Sequence, residues 1–94
     1  MKQVRWTPQA AEDLQAIHDF IARDSPHYAK LMVAEILSAV DTIEKFPEIG
    51  RRITELPHEN LRQLIKPPHR IVYRLDDAIH ILTIFRDSRL PREN

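Results

Sequence analysis

Cysteine is absent from this chain, which excludes both a disulfide framework and a thiolate metal site. Nowhere do eighteen apolar residues follow one another, so no membrane-spanning helix is expected. The opening MKQVRWTPQAAED carries no apolar run behind its charges, and a signal peptide is not expected either. Glycine occurs once, at Gly50. There is no internal repeat and no low-complexity tract. Excess charge is missing too: 14 Lys/Arg balance 14 Asp/Glu, which argues against a general affinity for polyanions. What remains is a single soluble, cytoplasmic domain over residues 1–94, long enough to bury a modest core without staples.

The neutral total hides an asymmetry. Residues 1–50 hold five Lys/Arg against eight Asp/Glu, and residues 51–94 hold nine against six. A local basic face attracts acidic partners or phosphate even when the sum is zero. A mixed solvated surface is the alternative reading of the same counts.

Apolar periodicity divides the chain. Residues 2–6 alternate, with Val4 and Trp6 on one side, as a short strand does. Thr7-Pro8 is a helix start, a capping hydroxyl followed by a residue pre-set for the first turn, with Glu12 and Asp13 near the positive end of the dipole. Ala10, Leu14, Ile17 and Ile21 then recur at helical spacing up to about Arg23. Ser25-Pro26 repeats the start signal. A broader stripe follows at Ala29, Met32, Val33, Ile36, Leu37, Val40 and Ile43, until Pro47 stops the helix and Gly50 turns the chain. So short a link makes the two helices an antiparallel hairpin. Residues 51–56 are ambiguous between an edge strand and a loop.

The last third reads as three strands, at residues 61–65, 70–75 and 78–86, separated by Pro67-Pro68 and Asp76-Asp77. Such short gaps admit only antiparallel neighbours. With two-residue alternation, one face is expected to carry Leu61, Gln63, Ile65, Ile71, Tyr73, Leu75, Ile79, Ile81, Thr83 and Phe85. The other is expected to carry Arg62, Leu64, Lys66, Arg70, Val72, Arg74, His80, Leu82, Ile84 and Arg86. The first would pack beneath the helices; the second has an apolar centre and a cationic rim. The fold class is therefore α+β: an N-terminal strand, then a helical hairpin on one face of a mainly antiparallel three- to four-stranded sheet.

The ordered set VRWTPQAAEDLQAIHDFIA, FPEIGRRI, LRQLI, PPHRIVYRL and AIHILTIFRDSR, from Val4 to Arg89, resembles the RelE/ParE toxin superfamily of type II toxin–antitoxin systems. The resemblance implies a toxin silenced by a small cognate antitoxin, in a hetero-oligomer, with no cofactor. ParE-like members bind and inhibit DNA gyrase; RelE-like members are endoribonucleases that cut mRNA on the ribosome. Cleavage through the 2′-OH needs a proton acceptor, a proton donor and cations around one phosphate. Arg62 and Arg86 are the cations such a site would use, but no Tyr or His follows Arg86. His80 lies six residues from Arg86, about 20 Å along an extended strand. The ParE-like reading is therefore preferred. Arg62, Arg70, Arg74, Arg86 and Arg89 are its target-binding candidates, and a patch of Leu64, Val72, Leu82 and Ile84 is the surface for the antitoxin.

Plainer roles compete for several residues. Arg51 reads as a cation at a helix C-terminus or as a contact, Tyr73 as a core aromatic with a bonded hydroxyl. Arg70 and Arg74 also fit solvated edge charges flanking Val72. The histidines at 18, 27, 58, 69 and 80 lack metal-ligand spacing.

Overall fold

A computed structural model describes residues 2–56 and 59–87. The elements are β1 (Val4–Trp6), α1 (Pro8–Ala22), α2 (Pro26–Lys45), β2 (Arg51–Arg52), β3 (Leu61–Lys66), β4 (His69–Leu75) and β5 (Ile79–Arg86). Both helix starts work as their sequences dictate. The Thr7 hydroxyl accepts the Ala10 N–H at 3.1 Å, and the Ser25 hydroxyl accepts that of Tyr28 at 3.1 Å. Thr7 also donates to the Ile81 carbonyl at 2.8 Å, tying the start of α1 to β5.

The sheet has five strands in the order β1-β5-β4-β3-β2, not three or four. The first strand joins β5 in parallel, and β2 is a two-residue pairing with β3. A parallel partner is possible at that edge because the whole helical hairpin and three strands intervene as the crossover. The hairpin covers one face. Ile36 and Ile43 from α2 meet Ile71, Tyr73, Ile79 and Ile81 from the sheet in a fully buried core, with Leu14, Ile17 and Ile21 of α1 packed against it. Leu37, expected on the inner stripe, is exposed. No described helix is long and apolar enough to cross a membrane.

Two registers decide which side chains face the helices. The two-residue turn at Pro67-Pro68, which contains a cis peptide bond, places Lys66 opposite His69, Leu64 opposite Ile71 and Arg62 opposite Tyr73. Directly paired residues share a face. Since Ile71 and Tyr73 are core, Arg62, Leu64 and Lys66 lie on the helix side, and Leu61, Gln63 and Ile65 on the open side. The expected assignment of this strand is thus inverted. In β5 a bulge then changes parity. Tyr73 pairs with Ile81 but Val72 with Thr83, which leaves Leu82 as the extra residue. Beyond it Ile84 turns inward opposite Ile71, only 2% exposed, and Arg86 stands on the helix side opposite His69.

Candidate functional site

The expected ring of guanidinium groups around an apolar hollow does not form. Of its members, Arg70, Val72, Arg74 and His80 occupy the open face, whereas Arg62, Leu64, Lys66, Ile84 and Arg86 do not. Leu64 packs against the core and Ile84 is part of it, so neither is available to an antitoxin. Half-buried Leu82 sits at the bulge. Arg89, the remaining target-binding candidate, lies outside the described residues.

The open face is built in cross-strand rows. Arg51, Gln63, Val72 and Thr83 form one, Leu61, Arg74 and His80 a second, and Ile65, Arg70 and Phe85 a third. Arg51 joins this surface because β2 pairs it with Gln63. Arg70 donates from Nη1 to Gln63 Oε1 at 2.8 Å and from Nε to the buried Asp87 carboxylate. Arg74 donates from Nε to Asp76 Oδ2 at 3.1 Å, and His80 Nε2 lies 3.1 Å from Asp76 Oδ1. Asp76 is held down at about 2 by the N–H of Ala78, with Arg74 and His80 adding to it. It stays ionised at neutral pH and offsets the Arg74 charge.

Arg62 does structural work on the other face. Its Nη1 donates to the carbonyls of Glu48 at 3.1 Å and Gly50 at 2.8 Å. Beside it the Tyr73 hydroxyl accepts the Gly50 N–H at 2.9 Å and donates to the Pro47 carbonyl at 2.7 Å. Burial pushes the Tyr73 phenol up from its usual range, so it remains a neutral donor. The core role read from the sequence is the one it fills. Together Arg62 and Tyr73 satisfy the backbone of the segment that leaves α2, a task no single residue there signals.

Asp13 was missed as well. Expected near the positive end of the helix dipole, it lies beyond the first turn of α1, too late to meet the free N–H groups. Its carboxylate instead accepts from the Thr83 hydroxyl at 2.5 Å and the Ile84 N–H at 3.0 Å, on the stretch of β5 that extends past β1. Burial raises its pKa, but the bonds from Thr83, Ile84 and Gln9 outweigh that and leave it below the ordinary value. Among the described residues no three His, Asp or Glu side chains converge as a metal site.

The comparisons with known proteins agree with this architecture. Residues 4–91 match the family model described as ParE toxin of type II toxin–antitoxin system, parDE. The chain is 37% identical over 92 residues to a Caulobacter vibrioides protein named toxin RelE2, covering 96% of this chain and all of that one. A solved structure of the chromosomal ParDE toxin–antitoxin system of P. aeruginosa superposes with a TM-score of 0.77 at 31% identity, over 92% of this chain and 96% of that one. A toxin–antitoxin complex, RelBE2 from Mycobacterium tuberculosis, shares the fold at a TM-score of 0.61 and 22% identity, over 92% and 98% of the two chains. Sequence match, strand order and helical hairpin together place the chain in the ParE toxin family of type II toxin–antitoxin systems, within the RelE/ParE superfamily.

Proposed function

We propose that this toxin arrests growth by inhibiting DNA gyrase in the cytoplasm and is held silent by a cognate antitoxin in a hetero-oligomeric complex. One observation carries the choice of target. Among the described residues the open face holds a single imidazole, His80, and it is bonded to Asp76. Two further groups able to move a proton point elsewhere: Tyr73 is locked between Gly50 and Pro47, and His69 is buried on the helix side. The carboxylate beside His80, Asp76, is held ionised and is bonded to Arg74 and His80, so it offers no proton to a leaving oxygen. A protein-binding face asks for less, and Arg70, Val72 and Arg74, with Arg51 beside them, supply guanidinium groups around an aliphatic centre.

The competing reading is a ribosome-dependent mRNA endoribonuclease. It draws on the Arg74–Asp76–His80 cluster, which brings an imidazole beside a cation on an accessible surface. Purified protein added to a gyrase supercoiling assay and, separately, to a ribosome-dependent mRNA cleavage assay distinguishes the two. Inhibition of supercoiling with intact mRNA is the expected result, unchanged in the His80→Ala variant. Cleavage of mRNA that His80→Ala abolishes would reverse the assignment.

A further inference from the structure

We propose that the groove between α1 and the far end of β4 and β5 receives an acidic side chain borne on an apolar segment of a protein partner. The groove has a volume of about 350 Å³ and is lined by Ala16, Ile17, Phe20 and Ile21 of α1, with His69 and Arg86 at its polar end. The β-bulge creates it. By shifting the register it sets Arg86 opposite His69 on the helix side, where straight alternation would have sent it to the open face.

Three features fix the chemistry of the occupant. Arg86 is exposed and, among the described residues, has neither an ion-pair nor a hydrogen-bond partner, whereas Arg62, Arg70 and Arg74 are all engaged. His69 is 3% exposed, and its Nδ1 is buried with no hydrogen-bond partner. A buried polar atom left unpaired is costly and rare. Half a turn of the ring about Cβ–Cγ exchanges nitrogen and carbon positions, so the imidazole can turn a donor toward a ligand held by Arg86. Among the described residues no carboxylate lines the groove to compete. A guanidinium that lacks a partner among the described residues, beside an imidazole nitrogen that also lacks one and can carry a donor hydrogen, fits a carboxylate.

The walls specify what carries that carboxylate. Phe20 is 66% exposed at the rim, and Ile17 and Ile21 are half-buried below it. A small free acid on Arg86 would leave most of the Phe20 ring wet. A peptide that continues past its acidic residue with an aliphatic or aromatic side chain covers the ring and excludes water from the ion pair. This inference rests on the reading that an antitoxin covers the chain, and it names one element of how that antitoxin is recognised.

The test uses the full chain and its cognate antitoxin, with affinity measured by calorimetry. Arg86→Glu and Phe20→Ser, both at exposed positions, are expected to weaken binding at least tenfold, with Lys30→Glu on α2 as an unchanged control. In the complex the ¹⁵N signals of the His69 ring are expected to move to those of a hydrogen-bonded nitrogen. Replacing the antitoxin's contacting acidic residue by Lys is expected to restore binding to Arg86→Glu. Tight binding by wild type and both variants alike would overturn the groove assignment while leaving the toxin–antitoxin reading intact. Failure of wild type itself to bind would remove that reading, and this inference with it. Self-association of wild type that both substitutions abolish would assign the groove to a second copy instead. Should Phe20→Ser melt early, Arg86→Glu alone decides.

Discussion

Tyr73 and Arg62 stand opposite each other on neighbouring strands and divide the satisfaction of one loop between them. A Cβ on Gly50 would lie 2.5 Å from the Tyr73 hydroxyl, so the close approach requires the chain's one glycine there. Tyr73→Phe leaves the Gly50 N–H and the Pro47 carbonyl unpaired in a buried site, and is expected to cost ~1–3 kcal/mol in urea unfolding. Gly50→Ala is expected to cost ~1–3 kcal/mol by overpacking against the same ring. Both variants should keep the open face intact, and hence any gyrase inhibition at temperatures well below their melting points. Tyr73 was legible because an aromatic in an apolar, alternating strand with a polar tip asks for burial and a partner. Arg62 was not. Between Leu61 and Gln63 nothing in the local sequence announces that two carbonyls, 12 and 14 residues earlier, will stand above it.

At the scale of the elements, strand parity explains each side chain misplaced in the sheet. The inversion of β3 follows from the length of its turn: two residues at Pro67-Pro68 put Lys66 opposite His69, and every later pair is then fixed. Counting through that turn, rather than counting apolar residues on each face, would have placed Arg62 and Leu64 with the core. The bulge at Leu82 has no such signal, because the stretch from Ala78 to Arg86 alternates acceptably in either register. Substitution separates the two faces cleanly. Ile84→Asp buries an unpaired carboxylate in the core and is expected to cost more than ~4 kcal/mol, enough to unfold the domain. Val72→Asp, on the open face, is expected to leave the circular dichroism melt within a few degrees of wild type. The reverse ranking would refute the shifted register. Asp13→Ala removes the acceptor for Thr83 and the Ile84 N–H, and is expected to cost ~1–3 kcal/mol, with amide exchange at Ile84 accelerating more than at Ile71.

Over the whole molecule, the same placements set the response to acid. Burial, with the Arg86 charge beside it, lowers the His69 pKa below its ordinary value. The folded state thus prefers neutral His69, and protons bind the unfolded chain first as pH falls through about 6.5. Stability is therefore expected to decline from that point until the folded-state pKa is passed, and His69→Gln should flatten the loss in thermal melts between pH 7.5 and 5. Asp13 and Asp76 act in a lower window, since both are depressed in the folded state. Their contribution is complete above the unfolded value near 4 and fades as pH drops toward 2 for Asp76. The sequence alone determined the order of every element but β2, both helix caps, the antiparallel hairpins and the class of fold, since each depends on spacing and neighbours within a few residues. Only the tertiary structure decided that β1 would lie parallel to β5, which cations remained free, and which aliphatics stayed at the surface. Those outcomes depend on pairing between distant segments, where a single residue of register reverses every side chain beyond it.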